Sequence, residues 1–318
     1  HAVSTDRSGT HARDVFPPLA AATPELLERG RHLVTVVAQC TYCHGPDLGG
    51  REMADDPWIG RLHASNLTRG AGGIGLRYAR ADWEAALRRG IDPQGRSLLL
   101  MPSAHLAHLS PRDLAAIVAY VAQVPPIDRQ APARRVGWLT RVVVALGLAP
   151  DLLSAEQVEQ AEQQQAGRSA TRAAGMGAAS RVLVSDRDPI RDGERARTLA
   201  NGEYLAEIGS CRVCHRADLA GGLHPLSLPG EPVPPDLTPG GPLDRWGRDD
   251  FARAMRDGQT PDGRTLDRAF MPWPAFAALT DDEIDALWRY LRTLDGRAGR
   301  SRDDGPRIAR QGDGRSSG

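Results

Sequence analysis

Apolar residues recur along this chain at helical spacing. Leu114, Ile117, Val118 and Val121 fall at i, i+3, i+4 and i+7, behind Ser110 as N-cap and Pro111 at the first helical position. Ile284, Leu287, Trp288 and Leu291 repeat that stripe behind Thr280-Asp281-Asp282-Glu283, which reads as a capping box. A third helix is predicted from Pro24 towards Cys40, capped by Thr23 and burying Leu26, Leu27, Leu33 and Val37. Trp83, Ala86 and Leu87 share one face of a fourth, with Gly90 as its C′ residue. The pattern predicts an all-α chain.

The second half repeats the first. Cys40-Thr41-Tyr42-Cys43-His44 returns as Cys211-Arg212-Val213-Cys214-His215. Asp47-Leu48-Gly49-Gly50 answers Asp218-Leu219-Ala220-Gly221-Gly222, and Asn66-Leu67-Thr68 answers Asp236-Leu237-Thr238. Tyr78 matches Trp246, Leu87 matches Met255, and Met101-Pro102 matches Met271-Pro272. The offset is 171 residues at the cysteines, 168 at Gly90 and Gly258, and 170 at the methionines, as loop insertions allow. A whole domain of roughly a hundred residues has been duplicated. The expected division is a flexible lead-in at 1–22, domains at 23–128 and 191–296, a linker at 129–190 and a disordered tail at 297–318.

The repeated pentapeptide has the C-x-x-C-H spacing of a c-type haem attachment site. Two thiols three residues apart can face one way from a single helical turn and form thioethers to the two vinyl groups of one haem. The adjacent histidine then supplies an axial nitrogen. Cys40, Cys43, Cys211 and Cys214 are thus the expected covalent anchors, and His44 and His215 the expected iron ligands. A shared zinc site would need the two cysteine pairs about 15–20 residues apart. The 171-residue separation and a histidine for each pair argue against it. A redox C-x-x-C would sit in a βαβ pattern, and none is nearby.

The opposite iron face calls for a second ligand, and a methionine there makes a high-potential electron carrier. Met101 and Met271 lie 57 and 56 residues after their histidines, each before a proline and a helix. Met255 reads as core and Met176 as linker, Met53 faces His224 at the equivalent offset, and His63, His105 and His108 read as surface or loop histidines.

Composition narrows the partners. The 318 residues carry 40 basic and 40 acidic side chains, a net charge of zero, which argues against nucleic acid. All four cysteines lie in the motifs, leaving none for a structural disulfide. There is no apolar run of 18 residues to span a bilayer, and the start at His1 suggests that an N-terminal segment, where a signal peptide would lie, was removed or is not included. One stretch has no counterpart in the repeat. Residues 133–149 hold Val136, Trp138, Leu139, Val142, Val143 and Leu146 among Arg134, Arg135 and Arg141. The favoured reading is a helix packed across the two domains; the other is an interfacial helix making a peripheral membrane contact. Residues 155–177, rich in Gln, Glu and Ala, read as a polar helix or a disordered linker.

Both attachment motifs, the two Asp-Leu-containing loops, Asn66-Leu67-Thr68, Asp236-Leu237-Thr238 and the Met-Pro pairs together resemble the tandem dihaem class I cytochromes c. The resemblance is to the cytochrome subunits that take electrons from membrane-associated dehydrogenases, and it covers residues 23–128 and 191–296. It implies two all-α domains, each wrapped around one covalent haem c, with Tyr78 and Trp246 packing on the haems. It also implies that the backbone carbonyls of Ser65 and Pro235 accept a hydrogen bond from the haem histidines, although the first copy lacks the proline. The expected role is single-electron transfer from a periplasmic or membrane-associated donor such as a dehydrogenase to a respiratory acceptor, in the periplasm or on its membrane face. The alternative is a dihaem enzyme, a peroxidase or a thiosulfate-oxidising enzyme, with one open iron.

Overall fold

The computed structural model describes residues 22–147, 152–163, 189–223 and 230–296. The expected lead-in before residue 22, the tail from 297, Met176, His224 and most of the later linker lie outside the described residues.

The first domain opens with α1 (Pro24–His32), where the Thr23 hydroxyl accepts from Leu26 N–H and Pro24 opens the first turn. The helix continues as a π-helical turn over Leu33–Val37 and is broken at Gln39, which is left-handed at φ 49°. The short α2 (Cys40–His44) follows. Then come β1 (Arg51–Asp56), β2 (Gly60–Ala64), α3 (Arg80–Glu84) running into a π-helical turn at Ala85–Arg89, α4 (Ser103–Leu106) and α5 (Pro111–Val121). Ser110 caps α5 by accepting from Asp113 N–H at 3.1 Å. After β3 (Arg135–Val136), α6 (Trp138–Ala145) and α7, described over 154–163, the second domain begins with α8 (Pro189–Ile208). It repeats the scheme with α9 (Cys211–His215), α10 (Arg248–Asp257), α11 (Trp273–Phe276) and α12 (Asp281–Leu291). The capping box at Thr280 and Glu283 is formed in both directions, at 3.0 and 3.2 Å.

Each domain is built on the crossing of its first and last helices. Gly30 of α1 lies so close to α5 that a Cβ there would stand 2.0 Å from the Ala116 carbonyl oxygen. Gly202 of α8 meets Ala286 of α12 in the same way at 2.1 Å, with the β-carbons of Tyr120 and Tyr290 closing on each glycine. Leu33, Val34, Leu114 and Ile117 fill the first core, and Ile208, Phe251, Met255, Ile284 and Leu287 the second. Each such side chain contributes about 1.5–3 kcal/mol on burial.

The domains face each other across a near two-fold arrangement of polar contacts. His32 of α1 reaches Glu283 at the start of α12, Nε2 to Oε2 at 2.9 Å. In the mirrored place Tyr204 of α8 donates to Asp113 at the start of α5 at 2.7 Å. Arg29 grips Asp113 through two bonds of 3.0 and 2.9 Å and stands 3.6 Å from Glu283. Burial would push both carboxyls up, but Arg29 and Tyr204 at Asp113, and His32 with the Thr280 N–H at Glu283, hold them below the usual carboxylate range.

Two expectations are corrected. The first domain is not purely helical: β1, β2 and β3 form an antiparallel three-stranded sheet in that order, with a bulge between Glu52 and Ala54. Arg51–Asp56 is polar and mostly exposed, so its sequence carries no apolar alternation; it pairs with β2 across a short hairpin, and β3 adds to β2 from far along the chain. The second correction is to the bridge. The anchors of α6 lie in the first domain: Gly137 N–H and the Thr140 hydroxyl both donate to the Ile59 carbonyl, and Trp138 meets Trp58 edge-on at 5.6 Å. Further on, Leu100 N–H donates to Leu152 O and Ser154 N–H to Leu98 O, which ties the start of α7 to the first domain as well. An unpaired strand edge on β2 and an open edge beside Leu98–Leu100 capture this segment, and the domains are joined through their helices instead.

The helix crossing yields a direct test. Gly30→Ala or Gly202→Ala should destabilise the holoprotein by ~1–3 kcal/mol in chemical denaturation through overpacking. Gly247→Ala, whose Cβ would meet only Asp250 at 3.6 Å, should cost less, about 0.5–1 kcal/mol from the poorer N-cap of α10. Equal midpoints for all three would refute the close-crossing account.

Candidate haem-attachment sites

Both attachment pentapeptides form one helical turn after a residue in the left-handed region, Gln39 at φ 49° and Ser210 at φ 57°. That conformation costs on the order of 1 kcal/mol for a residue with a Cβ. It redirects the chain from α1 and α8 so that α2 and α9 leave at an angle. Leu48 and Leu219, buried and also left-handed, mark the next matching bend.

The two histidines have the same environment. His44 Nδ1 lies 2.7 Å from the Ser65 carbonyl oxygen, and His215 Nδ1 lies 2.9 Å from that of Pro235. A carbonyl only accepts, so Nδ1 carries the proton and Nε2 keeps its lone pair. Burial pushes both rings below the ordinary histidine value, against the opposing pull of the carbonyls, and so favours the neutral imidazole that can bind a metal.

Hydrogen-bonded turns hold those carbonyls in place. The buried Asn66 accepts from Thr68 N–H and from its hydroxyl at 2.9 and 2.8 Å, and donates to the Ile127 carbonyl at 2.7 Å. Asp236 does the same for Thr238 at 2.8 and 2.6 Å. Leu67 N–H donates to Leu48 O and Leu237 N–H to Leu219 O, which ties each turn to the loop behind its histidine. The Ile127 clamp was not visible in sequence, because it joins residues 61 positions apart.

The thiols lack the low pKa of thiolate metal ligands. Burial pushes Cys40 up to about 12 and Cys211 up to about 11, and raises Cys43 and Cys214 as well. Such thiols are neutral at physiological pH, unlike the low-pKa cysteines of metal or redox sites. Among the described residues, no three His, Cys, Asp or Glu side chains converge on a metal-sized position.

Met101 and Met271 are half-buried against the core formed by both domains. Pro102 and Pro272 adopt φ −77°, ψ 51° and φ −76°, ψ 50°, and each methionine carbonyl accepts a 2.7 Å bond from the N–H two residues on. Different residues fix these segments. The Ser103 hydroxyl donates to Ala86 O at 2.9 Å, whereas Trp273 Nε1 donates to Leu266 O at 3.0 Å and covers Gly258. Tyr78 and Trp246 are half-buried against the same core, with Tyr78 edge-on to Trp83 at 5.5 Å. Met255 is buried in α10 and Met53 is exposed on β1. His105 is no simple surface histidine: it lies between the domains, 3.6 Å from Glu207. Neutral, partly accessible thiols, imidazoles held by carbonyls with a free Nε2, and an apolar surround fit a covalently attached haem.

Comparisons with known proteins agree. Residues 25–121 match the model of cytochrome c oxidase, cbb3-type, subunit III, and residues 199–295 match that of cytochrome c. The chain is 38% identical over 99 residues to the gluconate 2-dehydrogenase cytochrome c subunit of Pantoea cypripedii, covering 28% of this chain and 22% of that protein. It is 36% identical over 99 residues to the cytochrome c subunit of the quinone-type alcohol dehydrogenase of Gluconobacter oxydans, covering 29% and 20%. These matches therefore span about a fifth of the length of those two relatives. A diheme cytochrome c-type protein of Cereibacter sphaeroides aligns over 247 residues at 26% identity, 70% of each chain. With a cytochrome c domain in each half and two covalent haem c groups, the chain is a tandem dihaem cytochrome c similar to the cytochrome subunits of dehydrogenases.

Proposed function

We propose that this cytochrome carries single electrons from a dehydrogenase to a respiratory acceptor, with Cys40, Cys43 and His44 holding one haem and Cys211, Cys214 and His215 the other. A haem held at each site would supply a one-electron ferrous/ferric couple. The carrying observation is the equivalence of the two sites. Each has a histidine oriented by a carbonyl, at 2.7 and 2.9 Å, and a methionine after which the chain turns identically. Met101 and Met271 would supply the second ligand to each iron and so leave neither open, which favours a carrier over a dihaem peroxidase or thiosulfate-oxidising enzyme. The carbonyls of Ser65 and Pro235 keep each imidazole oriented and basic.

A periplasmic place, at or near the membrane, suits this role. Among the described residues no helix is long and apolar enough to cross a membrane. The exposed face of Trp58, Ile59, Trp138, Leu139 and Val142, bordered by Arg135 and Arg141, is the proposed peripheral contact.

Three measurements address this reading. The mature holoprotein from native cells should be recovered from periplasmic and membrane fractions and be reduced by a dehydrogenase of the same cells. Trp138→Ser with Val142→Ser should move it towards the soluble fraction. Recovery from the cytoplasm, or no reduction by any dehydrogenase tested, would overturn the assignment. Met101→Ala and Met271→Ala should each leave two haems per chain, lower one reduction potential and open one iron to carbon monoxide. Met255→Ala should cost ~2–5 kcal/mol of stability without opening either; carbon monoxide binding by that variant alone would move the ligand to Met255. Asn66→Leu should cost ~1–3 kcal/mol from lost buried hydrogen bonds. By loosening the Ser65 carbonyl it should also raise one potential only, and equal shifts at both haems would contradict the role given to that carbonyl.

A further inference from the structure

The domain interface is nearly two-fold, and besides Arg29 a second charged cluster breaks the symmetry beside an attachment helix. Glu207 lies in the last turn of α8, just before the second attachment helix. Its Oε1 stands 2.5 Å from Nε of Arg212, which lies between Cys211 and Cys214. Its Oε2 stands 3.6 Å from Nδ1 of His105. His105 belongs to α4 of the other domain, the helix that follows Met101-Pro102. Arg212 also donates to the Tyr290 hydroxyl at 2.7 Å and to the Ala217 carbonyl. The side chains of Arg212 and Glu207 are 13% and 17% exposed, so their charges are poorly screened, and His105 beside them is 18% exposed.

Among the described residues no matching ion pair stands against the first attachment helix, where the Arg51 guanidinium instead lies 5.8 Å from the centre of the Tyr42 ring. By the repeat offsets, Thr41 occupies the place of Arg212, Val36 that of Glu207, and Ala275 that of His105. Close by, the domains touch backbone to backbone: a Cβ on Gly209 would lie 3.6 Å from the Val37 carbonyl oxygen. This contact is three residues before Cys40 and two before Cys211. Among the described residues an ion pair thus stands against the second attachment helix and not the first, and it reaches the methionine-bearing segment of the other domain.

We propose that Glu207 and Arg212 are positioning residues that set the electrostatic environment of the C-terminal redox site apart from that of the N-terminal one, and that Glu207 fastens the two sites together through His105. The inference rests on the reading that Cys211, Cys214 and His215 hold the second haem. Oxidation adds a positive charge at the site. A buried carboxylate nearby favours the oxidised form and lowers the potential, while a buried guanidinium does the reverse. In the pair the two effects offset each other, so removing either partner exposes the other.

The test is redox titration of the full holoprotein with haem content measured alongside. Glu207→Gln should raise the C-terminal potential and Arg212→Gln should lower it, with smaller changes at the N-terminal haem. Glu207→Asp, which keeps the charge, should stay near wild type. Asp113→Asn, which loosens the same interface away from α9, should not shift the C-terminal potential selectively. The C-terminal haem is identified as the one moved by Met271→Ala. Shifts of the same sign in Glu207→Gln and Arg212→Gln, equal shifts at both haems, or unchanged potentials with full haem content would each overturn the proposal. If Arg212→Gln fails to take up its second haem, the sign and site of the Glu207→Gln shift decide alone. If Met271→Ala moves neither potential, the axial assignment fails, while opposite shifts confined to one haem still support the cluster.

Discussion

The close crossing of the first and last helix in each domain is the constraint on which the rest depends. Gly30 against Ala116 and Gly202 against Ala286 bring backbones together at a distance that no other residue allows. The crossing fixes where α2 and α9 leave the core, because the left-handed Gln39 and Ser210 follow directly from α1 and α8. It also places Asp113 and Glu283, at the starts of α5 and α12, where the opposite domain can reach them. Attachment, histidine orientation and domain pairing are therefore consequences of one packing decision made twice.

The interface shows duplication acquiring asymmetry. His32 with Glu283 and Tyr204 with Asp113 hold mirrored positions but use different chemistry. Arg29 spans both carboxylates on one side only. Ion pairs removed from water gain less than their Coulomb attraction suggests, since desolvation opposes it, but breaking one leaves a buried charge without compensation. Such contacts therefore define a single relative placement of the domains. Rates of electron exchange fall steeply with distance, so a defined placement has functional weight for a chain with two redox centres.

The N-terminal domain is further altered by the segment that follows it. The hairpin of β1 and β2 gains a third strand from 135–136, and residues 152–154 pair beside 98–100. The apolar side chains of α6 that suggested a bridge point outward, with Trp138 56% exposed and Trp58 equally so. What resembles a linker in one dimension is a surface feature of the first domain in three.

Sequence alone determined the parts whose physics is local. Thr23, Ser110 and Thr280 announce their helices because a cap bonds to the N–H three residues on. The attachment motifs are legible because thioether chemistry needs two thiols on one helical turn, and the repeat exposed the methionines by matching two registers. The carbonyl partners of the histidines came from resemblance, and the structure sets them at 2.7 and 2.9 Å. Only the tertiary structure decided the sheet, the clasp of Asn66 on Ile127, the seat of His105 and the cluster around Glu207. Apart from the local β1–β2 hairpin, each joins residues far apart in the chain, where neither periodicity nor spacing carries a signal. Their positions follow from how closely the glycines let the helices cross, a distance that no local pattern encodes.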